Sequence, residues 1–278
     1  TLQARSIEEF PVIPPVWIRE LVESENIGGV TTQFSKFVSS VEHVQVATES
    51  NSSKNHYTNG ILIEVHDNDI TLVGTDGRRL HYASMDCSTN LDKLSALIPA
   101  EIATRIAKLK VRQSSKLEFC TYKIDDDEYF SWTVDGIEGF CAVMETPYPE
   151  WEKVIPHENE GLIEVSADAL SKGIDRVSPI AKADDGRDMI VLNGNQTITV
   201  TASAGSIGKG ESRIACTHYK GPEMRVALNY VYLLDVLKLH KGKTVHLIYH
   251  GDLDPVVVRP SSDGTRSSIL MPVRLPED

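Results

Sequence analysis

The chain has 278 residues, more than one ordinary domain holds, and suits two domains of about 100–150 residues each. Hydrophobic residues make up 41%, which excludes a disordered chain, and no apolar run approaches the ~18–20 residues of a membrane helix. The formal net charge of −12, if evenly spread, argues against a nucleic-acid binder.

The start, Thr1-Leu2-Gln3-Ala4-Arg5, has the character of neither a signal nor a transit peptide, and without an initiating Met it reads as a fragment or a processed product. Thr32 is positioned to cap a helix running to about Val44, with Phe34, Phe37, Val38 and Val41 at helical spacing. A hairpin follows: Ile61–Val65, the polar turn Asp67-Asn68-Asp69, then Ile70–Val73. Pro99 opens a second helix at its first turn, carrying Ile102, Ile106 and Leu109. Two further strand-like segments, Leu117–Tyr122 and Tyr129–Thr133, flank the acidic run Asp125-Asp126-Asp127-Glu128.

The same series then recurs. A helix starts at Ser166 with Leu170, Ile174 and Val177 on one face. A hairpin joins Met189–Leu192 to Thr197–Val200 across Asn193-Gly194-Asn195-Gln196, and a helix follows the N-cap candidate Asn229 with Leu233, Leu234 and Leu237. The offsets, 128 at Ile61→Met189 and Ile70→Ile198 and 130 at Pro99→Asn229, nearly agree, so two copies of one unit are a better account than two unrelated domains. The units are placed at 15–157 and 158–278, joined near Pro156–Gly161. The order predicts an α+β fold, antiparallel sheets with helices on one face, rather than βαβ winding.

The charge is not evenly spread. The four helical segments, residues 31–45, 99–112, 166–182 and 229–243, together carry +6, which leaves the rest strongly acidic. If the helices share a face, that face attracts phosphate without reading bases. A preference of Lys and Arg for helix ends accounts for Lys110, Arg112, Lys241 and Lys243 equally well, but less well for Arg105, Lys108 and Lys172. Cys87, Cys120, Cys141 and Cys216 form no CxxC pair; scattered thiols in a chain of this length read as reduced, buried and cytoplasmic.

Several segments resemble a known family. Asn59–Glu64 and Leu72–Leu80 are similar to the middle domain of the bacterial DNA polymerase III beta subunit, the beta sliding clamp. Tyr148–Pro156 resembles the segment leading into that family's last domain, Leu228–Leu237 its second helix, and Met271–Leu275 its C-terminus. The resemblance implies a DNA-clamp fold, two repeated domains each with antiparallel sheets outside and two helices on the inner face. It also implies a processivity factor without catalysis or cofactor, encircling duplex DNA and tethering polymerase, clamp loader and other replication or repair proteins by short peptide motifs. The inner-face cations are then Lys36, Arg105, Lys108, Lys172, Arg176 and Lys238. Residues 1–14, with Phe10-Pro11, match only the end of the family's first domain. The family closes its ring as a head-to-tail dimer of three-domain chains, so a monomer is expected here, with closure by three two-domain chains as the alternative.

The resemblance further implies a partner groove between the two domains. Thr75, Gly77, Arg78, Arg79 and Leu80 line it; Pro149 and Val154 form one wall; Asn229, Tyr232, Leu253 and Pro255 form another. Ile269, Met271, Pro272, Val273, Arg274 and Leu275 close it, with Met271 adaptable to varied partners and Arg79 or Arg274 at the rim to hold a peptide carbonyl or carboxylate. Read on their own, Leu80 and Met271 are core residues. The rival readings are an enzyme and a clamp-like module that binds peptides without encircling DNA. Asp125–Glu128 could hold a divalent ion but fits an acidic hairpin turn better, and Gly74–Gly77 lacks the Lys and following helix of a phosphate loop.

Overall fold

The computed structural model describes residues 29–49, 56–124, 126–156, 161–183, 188–205 and 208–274. The expectations for residues 1–14, for Asp125 and for Leu275 lie outside the described residues.

The first unit opens with strand β1 (Val30–Gln33), then helix α1 (Phe34–Val44). Strands β2 (Gly60–His66), β3 (Asp69–Thr75), β4 (Arg79–Asp86), β5 (Ser88–Thr89) and β6 (Lys93–Pro99) follow, then α2 (Ala100–Ala107). It ends with β7 (Lys116–Ile124), β8 (Asp127–Val134) and β9 (Ile137–Ala142). The second unit repeats the order. It runs β10 (Gly161–Ser166), α3 (Ala167–Lys182), β11 (Met189–Gly194), β12 (Thr197–Ala204), β13 (Gly208–Ala215), β14 (His218–Lys220) and β15 (Met224–Asn229), then α4 (Tyr230–Leu239), β16 (Thr244–Tyr249), β17 (Val256–Pro260) and β18 (Arg266–Leu270).

The helix starts show which local rules operate. Asn229 caps α4, its side-chain oxygen accepting from the amides of Val231 at 2.9 Å and Tyr232 at 3.3 Å; Ser166 caps α3 from Ala169 N at 3.3 Å. Each such cap is worth ~1 kcal/mol. Thr32 does not cap α1. It lies in β1, and its hydroxyl donates to the Asp86 carbonyl at 2.9 Å, so Gln33 holds the cap position without a side-chain bond. Pro99 sits one residue earlier than expected, as the N-cap of α2, which ends at Ala107 rather than reaching Leu109. In α3, Pro179 cannot donate to the Asp175 carbonyl, and the Ser178 hydroxyl donates to it instead at 3.2 Å, so the helix runs on to Lys182.

All strand pairs are antiparallel and fall into three sheets. β5-β1-β7-β8-β9 belongs to the first unit and β13-β12-β11-β15 to the second. The third, β14-β10-β16-β17-β18-β4-β3-β2-β6, spans both, because β18 pairs with β4 from Arg266↔Ala83 to Leu270↔Arg79. The internal repeat is exact in topology: β14-β10-β16-β17-β18 reproduces β5-β1-β7-β8-β9, and β13-β12-β11-β15 reproduces β4-β3-β2-β6. In register, Leu62↔Val73 matches Val191↔Thr201, which aligns Ile61 with Ile190 rather than with Met189; the first hairpin is one residue longer overall.

Each unit encloses its core between its two sheets and its two helices. Phe34, Phe37, Ile61, Ile63, Ile70, Leu72 and Ile106 fill the first, and Leu170, Ile174, Ile190, Leu192, Leu233 and Leu247 the second. Burial of each such side chain stabilises the fold by about 1.5–3 kcal/mol. Because side chains alternate along a strand, the nine-stranded sheet has a second apolar face. There Leu62, Val73, Leu80 and Leu97 of the first unit meet Ile248, Val257 and Ile269 of the second, and Tyr148, Trp151, Val154 and Ile155 of the connecting segment cover them. Trp151 is held there by its indole N–H, which donates to Glu64 Oε2 at 2.9 Å.

Candidate functional site

The seam between the units is where the sequence places a groove. The β3–β4 turn supplies its centre. Gly77 has φ +82°, a left-handed turn that glycine adopts without strain, and Asp76 accepts from the Arg78 and Arg79 amides at 2.9 Å each. The Thr75 hydroxyl donates to the Arg79 carbonyl at 2.7 Å, so it closes the turn and is not free for a partner. Gly74 is required by packing, since a Cβ there would lie 2.5 Å from the Val44 carbonyl oxygen.

From this turn the two arginines diverge. The Arg79 side chain, 11% exposed, donates to Asp76 Oδ2 at 3.0 Å and to Asp235 Oδ2 of α4 at 3.1 Å, and its guanidinium lies 4.4 Å from the centre of the Tyr232 ring. Through Asp235 it fastens one unit to the other, and the expected rim position is instead a largely buried one. Arg78 is exposed, and its bond to the Tyr232 hydroxyl raises its pKa further above the usual range. Tyr232 therefore stands between two cations, one buried and one at the surface.

The C-terminal segment runs alongside. Met271 N–H donates to the Arg78 carbonyl at 3.1 Å, and Val273 N–H to the Ala227 carbonyl at 2.8 Å. The Val256↔Leu270 pair sets Pro255 and the loop bearing Leu253 beside Met271. Leu253 is 59% exposed, Met271 42% and Val231 37%, and these are three of the four large apolar side chains found exposed among the described residues. Leu80 and Ile269, expected to line the groove, are instead 5% and 0% exposed and packed within the seam cluster. Val154 packs on that cluster, whereas Pro149 and Arg274 are exposed and Pro272 is partly covered. Asn229 contributes by capping the helix that carries Val231 and Tyr232.

The basic layer is less uniform than its composition implies. The helices pack in pairs, α1 on α2 and α3 on α4, and the C-terminal ends of α1 and α4 meet where the rings of His43 and His240 lie 5.9 Å apart. Lys108, Lys172 and Arg176 are exposed. Lys36, Arg105 and Lys238 are each paired with a carboxylate, Asp86, Glu101 and Asp235. The four thiols are unpaired with one another; burial raises the pKa of each, Cys141 to about 11, and only Cys120 is fully buried. Asp126 and Asp127 stand at the β7–β8 hairpin turn, and no group of His, Cys, Asp or Glu among the described residues is arranged to hold a metal. No helix among them is long and apolar enough to cross a membrane.

Two repeated units of this topology, joined edge to edge into one sheet with paired helices, define a sliding-clamp fold. Comparison with solved structures agrees: a DNA polymerase sliding clamp from Pseudomonas aeruginosa superimposes with a TM-score of 0.82 at 19% identity, covering 98% of this chain and 70% of that one. Two family models match in series, the DNA polymerase III beta subunit central domain over residues 31–150 and its C-terminal domain over 152–274. The chain belongs to the DNA polymerase III beta subunit family, of which it carries the central and C-terminal domains. A beta sliding clamp from Treponema pallidum is 24% identical over 98% of this chain and 71% of that protein, and one from Staphylococcus epidermidis is 20% identical over 77% and 56%. The chain thus spans from a little over half to about seven-tenths of the length of these relatives.

Proposed function

We propose that the chain is part of a non-catalytic DNA polymerase processivity factor, and that its seam groove captures short peptide segments of polymerase and other replication or repair proteins. The observation that carries this reading is the convergence of exposed apolar side chains on the seam. Met271, Leu253 and Val231 stand exposed beside the buried seam residues Leu80 and Ile269, with the exposed Arg78 near Met271. A few apolar anchors in a preformed pocket give such grooves most of their affinity, and Arg78 supplies a charged donor for a backbone carbonyl or a carboxylate. A short peptide with two apolar anchors, followed by fluorescence polarisation, tests it. Met271→Ala with Leu253→Ala is expected to weaken binding at least tenfold with the fold unchanged, and equal affinity would refute the assignment. Leu80→Ala is unsuitable, because it removes a buried side chain from the seam.

Duplex DNA is the second partner. The exposed Lys108, Lys172 and Arg176 on paired helices support sequence-independent attraction to phosphate. The carboxylate partners of Lys36, Arg105 and Lys238 weaken that attraction and favour, as a second reading, a module that binds peptides without encircling DNA. Salt-sensitive retention of the full-length protein on circular DNA, lost when the circle is cut, is the outcome expected of encirclement. Equal retention on cut and closed DNA identifies the second reading.

A further inference from the structure

The helix side of the seam is closed by three buried imidazoles that the groove does not use. His43 lies on α1, His81 on β4 and His240 just past α4; they are 3%, 0% and 3% exposed. The rings of His43 and His81 are 5.2 Å apart, and those of His43 and His240 are 5.9 Å apart across the two units. His43 Nε2–H donates to the Ser267 carbonyl of β18 at 3.2 Å, and His81 Nδ1–H donates to the His43 carbonyl at 2.9 Å. With those tautomers fixed by carbonyl acceptors, His81 Nε2 is a buried nitrogen with no hydrogen-bond partner, and His240 Nε2 is another.

We propose that this histidine cluster is a pH-sensitive latch that holds the two units together when neutral and loosens their seam in mild acid.

The charge balance around the cluster gives the direction. Arg266 of β18, Arg79 of β4 and Lys243 beyond α4 face the imidazoles, and Asp263, in the turn before β18, is the carboxylate that faces them. Arg266 is already bonded to Asp263 and to the Ser39 hydroxyl of α1, and Arg79 to Asp76 and Asp235, so these carboxylates are shared with permanent cations. Protons added here join a cationic, desolvated cluster. Burial, followed by His240 and Arg266, lowers His43 to about 4. Burial and then His43 lower His81 to about 3, and burial and then Lys243 and Arg266 lower His240 to about 4.

The opened seam hydrates the imidazoles and returns them toward about 6.5. Above that pH both forms are neutral and the latch has no pH dependence. Below it the open form binds more protons, so closure weakens as pH falls from about 6.5 toward 4. Each histidine then reduces the closed-to-open ratio by about 30-fold at pH 5. A separation confined to the seam breaks the β4·β18 ladder while leaving ladders within each unit intact.

Amide hydrogen exchange between pH 7.5 and 5.0, corrected for the intrinsic pH dependence of exchange, reads this directly. Protection of the amides in residues 79–84 and 266–270 that bond across the β4·β18 edge is expected to fall steeply below pH 6.5, while the β11·β12·β13 ladder of the second unit keeps its protection. His240→Gln, which leaves an amide in place of a titrating ring, is expected to shed about 30-fold of that loss at pH 5. The proposal is overturned if seam protection does not change with pH, if both ladders lose protection together, or if the variant retains the full pH slope. Should His240→Gln fail to fold, the wild-type comparison of the two ladders still decides.

Discussion

Arg79 and Arg78 are neighbours in sequence with opposite fates. Arg79 reaches Asp76 on its own turn and Asp235 in the other unit, both within 3.1 Å, while Tyr232 covers one face of the guanidinium. Arg79→Met retains length but leaves the Asp76 carboxylate with backbone donors alone and Asp235 with only the exposed Lys238. A loss of ~3 kcal/mol is expected in chemical denaturation, well above what exposed pairs such as Arg105–Glu101 contribute. A loss below ~0.5 kcal/mol would show that Tyr232 packing, not the charge, fastens the seam. This role was not legible in the sequence. The Asp235 partner lies 156 residues away, and nothing local distinguishes one arginine of the pair from the other. The groove's anchors were legible only through the family resemblance, since Met271 and Leu80 read alone are core residues; for Leu80 that reading is also what burial shows.

At the level of elements, legibility followed the presence of a local signal. Asn229 and Ser166 stand at helix starts where their side chains cap, so composition and structure agree. Thr32 carries the same chemistry one position too early, and its hydroxyl is spent on Asp86 across the sheet. The strands β1 and β10, which open each unit, gave little sign of themselves. β1 is only four residues long and runs straight into α1, so the start of a helix masks the end of a strand. The hairpins were plain, because polar turns separate apolar runs, but a one-residue difference in hairpin length shifted the apparent offset at the first strand. Pairing of β18 with β4 left no mark at all in the sequence, since strand edges are recognised by backbone rather than by side chain.

At the level of the molecule, that pairing sets what the two free ends can do. By the internal repeat β9 occupies the place of β18, and β13 the place of β4; both are edges of their sheets among the described residues. Carrying the β4·β18 register onto these edges sets Glu138 of one copy against Glu211 of another, like charges on adjoining strands, with Arg213 bonded to Glu211 at 2.8 Å beside them. The 278-residue chain is therefore expected to remain a monomer of 30.8 kDa in light scattering at micromolar concentration. A mass three times larger would show that copies do join through these edges, and the charge argument would fall.

The seam has a consequence for how such a molecule tolerates time. Its adhesion is written largely in amide and carbonyl groups, which every residue except proline presents in the same way. Substitution can redraw the side chains on both faces of the joint sheet while the ladder that fixes the angle between units persists. A chain that shares only 19% of its residues with a solved clamp nevertheless superimposes on it across both units at 0.82. Sequence drift can then alter the exposed side chains while the joint between the two units is inherited intact.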